Sequence, residues 1–225
     1  MTSSLRPVGV FSFTLALAAL LLPVLGGCQA AYYGALEKIG IPKREVLMDR
    51  VAKARSSQEE AKEQFASALE KFLAIAKVEP GEIKARYELL NAELKRNETR
   101  ATDVRDRLAA VKDVAEALFA EWKSELKQYS NAELRSRSEA QLDATQRSYK
   151  ELLVVMERAA SRMEPVLGAF RDQVLFLKHN LNAQAVRSLD TTSRTLQDDI
   201  GRLIADMEKS IREADAFIKT LQPAS

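Results

Sequence analysis

The sequence predicts an all-α fold: an elongated antiparallel up-and-down bundle of about four long coiled-coil-like helices, preceded by a signal peptide. Three observations predict it. Between Lys43 and Leu221 there are only two prolines, Pro80 and Pro165, and three glycines, Gly81, Gly168 and Gly201. Apolar side chains over the same span recur alternately four and three residues apart, the period of a coiled-coil seam. No stretch alternates apolar and polar residues or gathers β-branched and aromatic ones, so strands have no candidate.

The first element is the export signal. Arg6 is followed by 21 uncharged positions, 7–27, and the next charged side chain after the chain's single cysteine is Glu37. A positive start, a short apolar middle and small residues before a cut site describe a secretory signal peptide. The ending Leu25-Gly26-Gly27-Cys28 resembles a bacterial lipobox, which implies cleavage between Gly27 and Cys28 and a diacylglycerol (with palmitate-type acyl chains) on the Cys28 thiol. A plain transmembrane anchor is the rival, because 21 residues just suffice to span a bilayer; Pro23, Gly26 and Gly27 would spoil its last turns. Gln29, where inner-membrane retention favours Asp, resembles an outer-membrane sorting signal. Residues 28–41 then read as the lipidated Cys and a short tether carrying Tyr32 and Tyr33, rings suited to the membrane interface.

The bundle domain follows as residues 42–222. Pro42 suits a first helical position, where its missing N–H costs nothing. Leu47, Val51, Ala54, Gln58, Ala61, Phe65, Ala68, Phe72 and Ile75 form the first seam, and Glu79-Pro80-Gly81-Glu82 breaks it with turn chemistry. The second seam runs from Ile83 through Leu90, Leu94, Asn97, Val104, Leu108 and Leu118 to Trp122. Ser130 and Glu133 have capping-box spacing and start the next helix. The third seam carries Leu142, Tyr149, Leu152, Met156, Met163, Val166, Phe170 and Leu177. Pro165 lies inside it, and because the phase is kept across the proline a kink is favoured over a break. Lys178 to Asn182 reads as a turn, and Leu196, Ile200, Leu203, Met207, Ile211, Phe217 and Leu221 form a fourth seam. Helices of about 37, 48, 47 and 40 residues follow, roughly 55 to 70 Å each. Short connectors make neighbours antiparallel; longer helices pairing between chains are the rival. Gln58 and Asn97 on the seam set register at some cost in stability.

Composition narrows the function. With 34 Lys+Arg against 32 Asp+Glu the net charge is +2, so the basic excess of a nucleic-acid binder is missing. One Cys and one His exclude an internal disulfide and a Cys/His zinc cluster. No nucleophile elbow, phosphate loop or EF-hand loop occurs. The pairs Glu59-Glu60 and Asp198-Asp199 read as solvated helix faces with ion pairs at three- and four-residue spacing. No cofactor and no metal are expected. Trp122 reads first as core and second as a ligand platform. The dense run from Met163 to Ala183 reads first as core and turn. Its second reading is a docking tip, with Phe170, Phe176, His179, Asn180 and Asn182 as the candidate interaction surface.

The run Phe170-Arg-Asp-Gln-Val-Leu-Phe-Leu-Lys-His-Asn-Leu-Asn-Ala183 resembles the signature of an uncharacterised proteobacterial family, domain of unknown function 2959. So do Glu59-Glu-Ala-Lys-Glu-Gln-Phe65, Glu121-Trp122, Gln128-Tyr-Ser-Asn131 and Ala214-Asp-Ala-Phe217. The resemblance implies exported or lipidated helical proteins with no assigned activity and no catalytic residues to carry over. The expectation is a lipid-anchored, non-enzymatic scaffold or adaptor of the bacterial cell envelope, on the outer membrane facing the periplasm. Its partners would be the membrane, through Cys28, and an envelope protein or a second copy. Two alternatives stand beside it: an envelope enzyme or ligand carrier with an inter-helix site near His179, and a bundle that shapes membranes. Near-neutral charge speaks against the second.

Overall fold

The computed structural model describes residues 27–38, 40–76, 83–180 and 183–222. The chain divides into two compact units, Met1–Ile41 and Pro42–Ser225. The first, as described, is a single helix, α1 (Gly27–Lys38), in the stretch read as a tether. Gly40 closes it with φ of 86°, a left-handed conformation that glycine adopts without strain. Its N–H donates to the Glu37 carbonyl and that of Ile41 to Leu36. Tyr32 is exposed, whereas Tyr33 is buried, so the two rings do not present one aromatic face; they meet edge-on at 5.2 Å. The signal segment and the Cys28 side chain lie outside the described residues.

The second unit is a bundle of four long helices: α2 (Lys43–Ala76), α3 (Ile83–Glu125), α4 (Ala132–His179) and α5 (Ala183–Leu221). Among the described residues there is no strand. Each helix packs on its neighbours in sequence, and α5 closes the ring against α2. The directions follow from the polar contacts between helices. On α2 and α3, Lys43 reaches Glu121, Ser57 reaches Asp103 and Lys71 reaches Glu93, so residue numbers rise along one helix as they fall along the other. The same reversal relates α3 to α4 through Lys112–Glu157, Arg105–Glu164 and Arg171–Glu98. Adjacent helices are antiparallel.

The seams meet in the middle. Phe65, Phe72, Phe170, Leu47, Leu90, Leu152, Met156, Met163, Leu167 and Leu196 are all fully buried, each stabilising the fold by about 1.5–3 kcal/mol relative to exposure. Phe72 and Phe170 cross edge-to-face at 5.8 Å and 86°, tying α2 to α4 across the core. Gln58 and Asn97 are buried on the seam as the spacing implies. Gln58 Oε1 and Asn97 Oδ1 have no partner, whereas Asn97 Nδ2 donates 2.8 Å to the Glu93 carbonyl. Unpaired buried carbonyls cost free energy, so the polar seam is a sacrifice of stability.

Two local expectations are corrected. Pro42 stands just ahead of α2, its carbonyl accepting from Glu45 and Val46 N–H groups. The cap of α4 is Asn131 rather than Ser130: its side chain accepts from Glu133 N–H at 2.9 Å and Leu134 N–H at 3.1 Å. Asn131 lies one residue nearer the helix, where its shorter reach to both donors wins. At Pro165 the helix does not break, since α4 runs continuously from Ala132 to His179. Packing on both flanking turns, through Met163, Val166 and Leu167, holds the path. The turn residues 77–82 and Asn182 lie outside the described residues.

Candidate functional site

The long sides of the bundle are closed by charge. Arg55–Asp215 joins α2 to α5, Arg100–Glu60 joins α3 to α2, and Arg162–Asp206 joins α4 to α5. Glu59 pairs with Lys62 and Asp199 with Arg202, as their spacing implies. Exposed pairs of this kind each contribute at most about 1 kcal/mol, so they fix register more than they stabilise. Among the described residues no cluster of His, Cys, Asp and Glu could hold a metal ion. One open groove of about 410 Å³ lies between α4 and α5, flanked by Val154, Val155, Lys209 and Glu213.

One charged cluster is different in kind. Glu93 of α3 is fully buried, and its carboxylate accepts from four donor atoms. Gln64 Nε2 at 2.8 Å and Lys71 Nζ at 2.5 Å come from α2, and Arg96 supplies Nη2 together with Nε at 3.2 Å. Burial by itself would raise the carboxyl group's pKa. The hydrogen bonds from Arg96, Lys71 and Gln64, with the Arg96 charge, outweigh it and hold the group down at about 2. Glu93 adjoins the Leu94 seam position, and only Arg96, three residues on, was a visible partner; Gln64 and Lys71 come from another helix.

The predicted interaction surface is split by the fold. Phe170 is in the core against Phe72, because at its seam position it is the residue whose stripe faces α2. It is therefore not part of any surface. Phe176 is exposed, as is neighbouring Leu175, while Val174 and Leu177 of the same apolar run are buried. His179 is exposed in the last turn of α4. Asn180 is the C-cap: its backbone N–H and its Nδ2 both donate 3.0 Å to the Phe176 carbonyl. Trp122 is half-buried and donates 2.8 Å to Ser138 Oγ, joining α3 to α4.

What sequence reasoning missed is the distribution of exposed apolar side chains on the bundle. They gather at its two ends. Tyr129 (41% exposed) and Leu134 (51%) mark the α3–α4 hairpin, while Leu89, Leu175 (47%) and Phe176 (41%) lie near the opposite end; among the described residues of the bundle, Val154 is the large exposed one that sits midway.

An all-helical antiparallel bundle with charged sides and apolar ends is the class that the fold defines. The chain belongs to the family described as protein of unknown function (DUF2959), whose model matches residues 32–221. No curated protein matches it.

Proposed function

We propose that the protein is a lipid-anchored cell-envelope lipoprotein whose bundle acts as a non-catalytic scaffold or adaptor. Cys28 carries the lipid after cleavage behind Gly27, on the outer membrane facing the periplasm. The bundle's ends then serve contact with the membrane and with an envelope protein or a second copy.

One observation carries the reading: large exposed apolar side chains concentrate at the two ends of a bundle whose sides are ion-paired. A rod of this kind offers end contacts separated by tens of ångströms, with Leu134 and Leu175 roughly 60 Å apart along α4. The cysteine behind 21 uncharged residues supplies the attachment, and two or more acyl chains make such attachment stable. Among the described residues no helix is long and apolar enough to cross a membrane.

The experiment is fractionation of cells expressing the chain or its Cys28→Ser variant, with mass spectrometry of the N-terminal peptide and crosslinking in intact cells. The expected result is a diacylglyceryl-modified Cys28, a membrane-bound wild type, a released variant, and crosslinks from the α4 C-terminal turn. Unmodified Cys28 would remove the anchor. Loss of phenotype in His179→Ala with retained folding and crosslinks would replace the scaffold by an activity.

A further inference from the structure

The α3–α4 hairpin overhangs the bundle at the end where the chain arrives from Cys28. Lys43, the first residue of α2, pairs with Glu121 at 2.9 Å, which fixes the level at which α2 begins. Beyond Glu121 the chain continues to Glu125, through a 3₁₀ turn (Leu126–Gln128), and reaches Tyr129, about 12 Å further on by helical rise. On the other side α5 ends at Leu221, one turn past Phe217, whose ring lies 6.2 Å from that of Tyr149. Residues 132–141 of α4 therefore run on without α5 beside them, and all are exposed except half-covered Ser138.

This overhang carries a small apolar tip. Tyr129 and Leu134 are exposed on either side of the Asn131 cap, while Leu126 is buried behind them. The flanking charge is balanced, with four basic and four acidic side chains between Glu121 and Glu139. A tip of this composition suits a layer that accepts a phenol ring and a leucine without demanding net charge.

We propose that the hairpin tip, through Tyr129 and Leu134, seats in the interfacial layer of the same bilayer that holds the lipid on Cys28. The inference rests on the lipid-anchor reading above. Chain length supports it. From Cys28 to Lys43 the path comprises α1, about 18 Å long if Gly27–Lys38 is counted at helical rise, and five further steps worth at most about 18 Å. The covalent path between the acylated residue and the start of α2 therefore reaches at most about 36 Å, and the overhang projects from the start of α2 away from the rest of the bundle. Lipid and hairpin together make a two-point attachment that restricts the tilt of the rod and points Leu175 and Phe176 away from the membrane.

The single tryptophan, Trp122, sits at the base of the overhang and is a built-in probe. Full-length acylated protein is reconstituted in phosphatidylcholine–phosphatidylethanolamine vesicles with acyl chains brominated near the headgroups. A Tyr129→Gln/Leu134→Gln variant is carried alongside; both side chains are exposed, and circular dichroism checks that the helices persist. The expected result is quenching of Trp122 emission that survives added salt and is lost in the variant, with both proteins floating with the vesicles. Flotation without quenching, or equal quenching of both proteins, or quenching abolished by salt, overturns the hairpin contact and leaves the anchor standing. A chain that neither floats nor carries diacylglycerol on Cys28 removes the anchor itself, and the proposal with it.

Discussion

Replacing Glu93 with Gln keeps the shape of the side chain and removes its charge, which makes it the sharpest probe of how α2 and α3 are held. The native carboxyl is held at about 2 against an ordinary value of 4.5. At 1.36 kcal/mol per unit, that difference corresponds to about 3 kcal/mol of stability carried by the ionised form. Lys71 and Arg96 are each about half exposed, so solvent screening trims the figure toward about 2 kcal/mol. The folded value is depressed, so the contribution is fully present above pH 4.5 and is lost as pH falls toward 2. Urea unfolding followed by circular dichroism at pH 7, 5, 4 and 3 measures it. The variant unfolds earlier at pH 7 by about 2–3 kcal/mol, and the gap narrows steadily below pH 4.5. A gap under about 0.5 kcal/mol at pH 7, or one that stays constant down to pH 3, would refute the reasoning, since either result means that the buried carboxylate's ionisation is not coupled to folding.

Three further outcomes follow from other parts of the bundle. Phe170→Ala empties the α2–α4 contact in the core and lowers unfolding stability by about 3–5 kcal/mol, read as a shifted urea midpoint; a change under 1 kcal/mol would place Phe170 on the surface after all. Asn131→Ala removes the acceptor for two N–H groups and costs about 1 kcal/mol, while Ser130→Ala leaves the midpoint unaltered. Tyr149 is pushed up to about 12, first by burial and then by the Glu157 and Glu116 carboxylates. The folded value is raised, so its stabilisation is complete below pH 10 and is lost as pH rises toward 12; spectrophotometric titration finds a late-ionising tyrosine that Tyr149→Phe abolishes.

The sequence by itself determined the four helices of the bundle, their order and which stripe of each turns inward; α1 it left as a tether. Sevenfold spacing is a local property: Leu90, Leu94 and Asn97 share a face because of helical geometry, whatever the partner. The family was legible for the same local reason, in short runs such as Phe170 to Ala183. Tertiary structure alone decided what lies opposite what. It set Lys71 and Gln64 of α2 on Glu93, and laid Phe72 of α2 against the seam residue Phe170. It also ended α2 and α5 short of the α3–α4 hairpin, so that Tyr129 and Leu134 stand clear. Those outcomes depend on the relative axial offset of helices many residues apart in sequence. A repeat of seven fits equally well at any shift of seven, so the offset is chosen only when ion pairs, polar seam residues and aromatic contacts from separate helices are satisfied together.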